Sequence, residues 1–397
     1  MSLTHQQHAA VVWGGSLSLT ACPGSGKTRT LSAKLVQEID PLRGTPRAVA
    51  CITYTNSAVN EIEQRAATLI EPGDDAYFAV WTIHSFCLNA ILRPFAWRLA
   101  RFRGVPIVLT RDKPIFEEVV RYACDQINLT NPTLAEFEAF EALNSNVFGH
   151  LIGMGLENDA VRMAAPHFWR RCAELGYIDF CNIIYRSYCL VRDYQDIRNS
   201  LSARYAWILM DELQDTTELQ IELLKFVYST GRARFFIVGD SAQSIYGFTG
   251  AKPELMETFA HYIGALTDLS LSGNFRSSPP IVRHAERLFA RVPEMTSVGR
   301  TKDCMIEPQF VHADDTFHAL TDEFLPQLSE LNIPFGDATI LAREWAPLIR
   351  LARRLREFGV PVVGRARALI VDQDCLRRSP NSCAAPSSIR SRRRRGN

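Results

Sequence analysis

The sequence predicts an α/β fold, a parallel sheet covered by helices on both faces and interrupted by a helical insertion. Three observations predict it. Short apolar runs alternate with helical stretches at the start of the chain, and the same alternation resumes beyond residue 200. A glycine-rich turn follows the first run. Two adjacent carboxylates follow a later one. Strands alternating with helices build parallel sheets, because a crossover helix must pack back on the sheet.

The elements follow in order. Ser16–Ala21, Ala48–Thr53 and Ala79–Thr82 read as strands, with helices over Lys27–Glu38 and Asn56–Leu69. From Phe95 to Ser200 helical periodicity dominates, as in Pro114–Gln126 and Phe168–Leu190. The strand pattern returns at Trp207–Met210, Phe235–Val238 and Leu266–Leu271. From Asn274 to about Ile370 another α/β unit begins, with strands expected at Pro308–Val311, Ala338–Ala342 and Val360–Val363 and a helix at Pro347–Phe358. The domain reading is therefore residues 1–95 with 201–272 as one core, 96–200 as an insertion, 273–370 as part of a second core, and 371–397 as a basic disordered tail. Arg377–Asn397 is rich in Ser, Pro and Arg and cannot bury a core. It reads as a basic nucleic-acid arm, a plain solvated tail or an out-of-frame stretch.

Composition narrows the function classes. The 397 residues are 47% hydrophobic, which is globular, and the net charge of +1 supplies no global field toward nucleic acid. Ten cysteines without a C-x-x-C pair argue against a zinc ribbon. Cys51 and Cys87 read as buried thiols, which with no membrane span or secretion signal points to the cytoplasm.

Two motifs carry chemistry. In Ala21-Cys22-Pro23-Gly24-Ser25-Gly26-Lys27-Thr28, glycines let backbone N–H groups close around phosphates, and the helix opening at Lys27 points its positive end at them. Lys27 is expected to face solvent and to reach the β and γ phosphates of ATP, and Thr28 to ligate Mg2+. In Ile208-Leu209-Met210-Asp211-Glu212-Leu213-Gln214-Asp215, a buried strand ends in carboxylates. Asp211 is placed to hold the magnesium and Glu212 to orient or deprotonate a water.

With these residues in view the chain resembles the superfamily 1 DNA helicases of the UvrD/Rep/PcrA type. Leu3–Gln7 is similar to their Q motif, Ala21–Leu31 to motif I, Ile52–Arg65 to motif Ia, Trp81–Cys87 to motif Ib, Asp211–Asp215 to motif II, Val238–Ala251 to motif III and Gly273–Ser278 to motif IV. The resemblance implies a RecA-like P-loop NTPase core with an incomplete second RecA-like core, ATP and Mg2+ as cofactors, single-stranded DNA as partner and 3′ to 5′ polarity. It implies Gln7, Arg29 and Phe275 around adenine, and Gln243 and Arg276 at the γ-phosphate. It implies DNA contacts from Tyr54, Thr55, Asn56, Thr82, His84, Tyr246 and Phe248. By spacing alone Tyr246 and Phe248 also suit a core pair, and His84 an ordinary core histidine.

Departures bear on activity. Ser57 and Thr249 stand where relatives usually carry Lys and Arg, which removes charge from the DNA track. No V-H-x-x-K-G-x-E motif and no arginine-rich motif VI follow Leu369. The expectation is a truncated motor, impaired as a lone chain or completed by a protein partner. The alternatives are a nucleotide-dependent DNA-binding or regulatory module, or the motor subunit of a nuclease–helicase or defence system.

Overall fold

The computed structural model describes residues 3–99, 102, 104–247 and 250–363. Phe248, Thr249 and the tail beyond residue 363 lie outside the described residues. The chain divides into two compact units, Met1–Glu307 and Pro308–Asn397.

The first unit is built on a six-stranded sheet. Its strands are β1 (Leu17–Ala21), β2 (Ala48–Thr53), β3 (Phe78–Thr82), β4 (Tyr205–Met210), β5 (Arg234–Gly239) and β6 (Ser270–Leu271). They lie in the order β6-β1-β5-β4-β2-β3, all parallel. A parallel sheet needs cover on both faces, and the alternating side chains supply it. Leu17, Leu19, Val49, Cys51, Leu209, Phe236 and Val238 face one core with helices α2 (Lys27–Ile39) and α3 (Asn56–Ala67). Ala50, Ile52, Ile208, Met210, Phe235 and Ile237 face the other. Cys51 and Cys87 are fully buried free thiols.

Two expected elements of the first unit differ. The run Phe168–Leu190 is not one helix. Asp159–Glu174 ends before Gly176, whose φ of +79° is left-handed, and Tyr177–Asp179 pairs with Ile107–Leu109 as a short parallel ladder. Asp179 then caps the next helix, Phe180–Asp193, accepting from Asn182 N at 3.0 Å. The chain thus breaks where a carboxylate can satisfy a helix start. The expected strand Leu266–Leu271 shrinks to Ser270–Leu271 plus one bridge at Leu266, because Thr267 and Asp268 are exposed and leave the ladder.

The insertion has a core of its own, with Phe116, Val120, Phe140, Phe168 and Cys172 at its centre. The helix Phe180–Asp193 instead packs Ile183, Ile184, Leu190 and Val191 into the sheet's core. Beyond β6, Gly273–Asn274 and Thr296–Ser297 pair in parallel across the helix Pro279–Leu288, a small β-α-β unit within the first compact unit.

The second unit is described over residues 308–363. Its expected strands Pro308–Val311, Ala338–Ala342 and Val360–Val363 form no strand or ladder among the described residues. Phe310, Leu341 and Val363 are exposed there, so apolar runs alone did not make a sheet. The expected helix is present as Trp345–Glu357, where Arg354 pairs with Asp315 at 2.7 Å and lies over the Phe317 ring. Among the described residues no helix is long and apolar enough to cross a membrane.

One buried cation ties the N-terminal helix α1 (His5–Val12) to α2. Lys34 is fully buried and donates to Val11 O at 3.0 Å, Trp13 O at 2.6 Å and Glu38 Oε1 at 2.6 Å. All three ammonium donors are used, and Nζ lies 4.2 Å from the Trp207 ring centre. Lys34→Ala leaves the Glu38 carboxylate and Trp13 O without this partner, while Val11 O keeps only Gln37 Nε2 at 3.2 Å. It is expected to lower stability by about 3–5 kcal/mol. Urea unfolding followed by tryptophan fluorescence checks this, and an unchanged midpoint would contradict it.

Candidate nucleotide and nucleic-acid site

The carboxyl ends of the parallel strands all lie at one edge, and the loops leaving them form the site. After β1 the chain turns through Gly24 and Gly26 into α2. Their φ values are +69° and +83°, a region that costs other residues. Space is also short. A Cβ on Gly24 would lie 2.8 Å from the Arg276 Cβ and the Asn274 Oδ1, and one on Gly26 would lie 2.8 Å from Gln7 Nε2. The glycines therefore let two distant segments close on the loop.

Each segment is fastened there. Gln7 Nε2 donates to Ser25 O at 2.9 Å, and Gln7 Oε1 accepts from Thr4 N in a capping box. That leaves Gln7 one N–H and one lone pair for a base. Phe275 N donates to Gly24 O at 2.9 Å. The buried Asn274 accepts from Arg276 N at 2.8 Å and Ser277 N at 2.7 Å, a turn that places Arg276 at the cavity rim.

After β4, Asp211 is buried and anchored by its N–H to Ile52 O at 2.9 Å. Glu212 takes a left-handed backbone, φ 53° and ψ 44°, which costs on the order of 1–3 kcal/mol and is held by its side-chain partners. Its Oε2 accepts from Lys27 Nζ at 2.8 Å and from Gln214 Nε2 at 2.8 Å. Lys27 does not face solvent as expected. Its side chain is 11% exposed, because the Glu212 carboxylate draws it in. The Asp211 carboxyl is pushed up to about 7, first by burial and then by the charge of Glu212, with Lys27 pulling the other way.

After β5, Asp240 is buried and Gln243 donates Nε2 to its Oδ2 at 2.7 Å. Asp240 N donates to Gln214 Oε1 at 3.1 Å. Gln214 therefore joins two motifs, which its place in the sequence did not reveal.

Together these residues line a cavity of about 620 Å³. Gln7, Gly24, Gly26, Lys27, Thr28, Arg29, Asp211, Glu212, Gln243, Phe275 and Arg276 all reach it, as do Tyr54, Thr55 and Tyr246. Ser25 and Ala21 are buried and are not among the lining residues. Asn56, Thr82 and His84 are not among the lining residues. Sequence reasoning missed Thr53, Glu61, Arg65, Gln214 and Asp215, which also line it. Thr53 Oγ1 is buried there without a protein partner, a polar group suited to a ligand.

The cavity fits a magnesium nucleotide. A buried Asp211 beside Glu212 calls for a cation, and Thr28 offers a hydroxyl in the same space. No cluster of three or more His, Cys, Asp or Glu fit to hold a metal exists among the described residues. Magnesium bound mainly by phosphate oxygens and one carboxylate needs none.

On the cavity wall the Tyr54 and Tyr246 rings pack against each other at a tilt, centroids 4.7 Å apart and planes at 35°. Thr55 caps α3, accepting from Ala58 N at 3.1 Å, and Thr82 accepts from Ser85 N at 3.2 Å. His84 stacks on Phe180 at 3.8 Å, joining the first core to the helix Phe180–Asp193. Burial lowers its imidazole from 6.5 to about 4, so it is neutral. Unfolded His84 takes a proton near 6.5, and the folded chain resists until about 4. Stability from this residue is therefore present above 6.5 and lost as pH falls toward 4. The expected result is a wild-type stability that declines more steeply over that window than that of His84→Gln, measured by urea unfolding. A wild-type minus variant difference that is flat with pH would refute it.

Comparison with known proteins agrees with this architecture. Residues 3–263 match the family model described as the UvrD/REP helicase N-terminal domain. The chain is 28% identical over 306 residues to the ATP-dependent DNA helicase Rep of Escherichia coli K12, covering 73% of this chain and 43% of that protein. It is 27% identical over 302 residues to the ATP-dependent DNA helicase PcrA of Staphylococcus aureus Mu50, covering 75% of this chain and 41% of that protein. The chain thus spans less than half the length of these relatives. With the phosphate loop, the two carboxylates and the parallel sheet on one edge of the same unit, the chain belongs to the UvrD/REP helicase family, matching its N-terminal domain.

Proposed function

We propose that this chain binds MgATP in the 620 Å³ cavity and single-stranded DNA beside it, as part of an ATP-dependent DNA helicase of 3′ to 5′ polarity. One observation carries the reading: Lys27, Asp211, Glu212, Gln243 and Arg276, from four separate segments, converge on one cavity.

The residues divide the work. Lys27 leaves Glu212 for the β and γ phosphates, since a phosphate is the stronger anion, and this frees Glu212 to take a proton from the attacking water. Thr28 and Asp211 would hold magnesium, which would neutralise charge on the phosphates. Gln243 and Arg276 contact the γ-phosphate. Gln7, Arg29 and Phe275 surround adenine, while Ala21, Gly24, Ser25 and Gly26 shape the loop. Tyr246 and Tyr54 offer faces to bases, and Thr55, Asn56, Thr82 and His84 border the strand.

Lys27→Ala is expected to weaken binding of a fluorescent ATP analogue with Mg2+ by tenfold or more, about the worth of one charged hydrogen bond at a buried site. Equal affinity of wild type and variant would sink the nucleotide reading.

Binding of DNA is expected to favour single strands over duplex and to weaken steeply with salt. Tyr246→Ala should lower single-strand affinity without changing ATP-analogue affinity, because base stacking on an aromatic is worth roughly 1–3 kcal/mol. Fluorescence anisotropy with labelled oligonucleotides decides it. Duplex binding equal to single-strand binding would remove the stacking role.

A further inference from the structure

The segment after the phosphate-loop contacts reaches a second part of the site. Arg291 follows the helix Pro279–Leu288, and its side chain is 14% exposed. Its Nη2 lies 3.4 Å from Asp240 Oδ2. The same oxygen accepts from Gln243 Nε2 at 2.7 Å, while Oδ1 accepts from Ala242 N at 3.0 Å. One carboxylate oxygen therefore serves both the glutamine assigned to the γ-phosphate and an arginine from another segment.

Arg291 is held ready for it. Its N–H donates to Glu286 Oε2 at 3.0 Å, and its Nη1 lies 3.4 Å from Glu286 Oε1 and 3.2 Å from Phe289 O. Its Nε is buried without a protein partner. The same segment sends Val282 and Met295 against Cys22 of the phosphate loop. The guanidinium thus sits on a strut already fastened to the nucleotide loop.

We propose that Arg291 is a positioning residue for γ-phosphate sensing, taking the Asp240 Oδ2 that Gln243 releases when its amide turns to the triphosphate. Asp240 is 3% exposed, and a buried carboxylate oxygen stripped of its short donor is costly. Arg291 has only to close from 3.4 Å to the usual charge-assisted distance of about 2.7–2.9 Å to replace that donor. Gln243 then turns at little cost. Without Arg291 it stays on Asp240, and the γ-phosphate loses its contact. The same exchange draws residues 279–297 onto the carboxyl end of β5 when a triphosphate is bound. This inference rests on the nucleotide reading above.

The test is a double-mutant cycle on the full chain, using fluorescent ATP-analogue and ADP-analogue probes with Mg2+. The readout is the ratio of triphosphate to diphosphate affinity. Arg291→Ala should lower that ratio about tenfold, the worth of one charge-assisted hydrogen bond. Diphosphate affinity should stay within about twofold, which also reports that the site is folded. In a Gln243→Ala background, Arg291→Ala should leave the ratio where Gln243→Ala puts it. A ratio unchanged by Arg291→Ala, or lowered equally in both backgrounds, overturns the proposal while the nucleotide reading stands. If Arg291→Ala fails to fold, Arg291→Lys serves in the same cycle, since it keeps the charge but cannot span Glu286 and Asp240. A wild type that binds neither probe overturns the nucleotide reading and this one with it.

Discussion

The site depends on a single buried amide. Gln214 is 1% exposed, donates Nε2 to Glu212 Oε2 and accepts Asp240 N on Oε1. It thereby spaces the loop after β4 from the loop after β5, two strands that are neighbours in the sheet. A buried amide with both ends satisfied is rigid, because breaking either bond strands a polar group away from water. Lys27, Glu212, Gln214, Asp240 and Gln243 form one continuous chain of hydrogen bonds through it. The chain links Lys27 to Gln243, and both line the cavity.

Around that amide the fold stores unfavourable states that a ligand can relieve. Glu212 has a left-handed backbone, Asp211 is a buried carboxylate pushed up in pKa, and Thr53 Oγ1 has no protein partner. Each is costly in isolation, and all face one cavity. Strain and under-satisfied polar groups clustered at one place are a physical mark of a binding site, independent of any motif.

Two segments from outside the sheet hold the site in register. The N-terminal helix is anchored by Lys34 at its carboxyl end and clamps the phosphate loop through Gln7 near its start. The small β-α-β unit at 273–297 grips the same loop through Phe275 N and the carboxyl end of β5 through Arg291. The phosphate loop is thus held from both sides, and Gly24 and Gly26 are the positions where a side chain would prevent it.

Much of this was legible in the sequence because it is written in short-range pattern. Ala48–Thr53 is an apolar run of strand length and forms the expected strand, and the Gly24–Thr28 turn opens the expected helix. The carboxylates of Asp211 and Glu212 stand at a strand end because a buried run must stop where charge begins. What only the tertiary structure decided involves partners far apart in the chain. Lys27 meets Glu212 across 185 residues, Gln214 meets Asp240 across 26, and Arg291 meets Asp240 across 51. No local periodicity encodes such pairs. The same distinction explains the apolar runs at 308–311, 338–342 and 360–363, which form no ladder among the described residues. A helix closes its hydrogen bonds within itself, so its sequence can announce it. A strand exists only when another segment supplies the facing N–H and C=O groups.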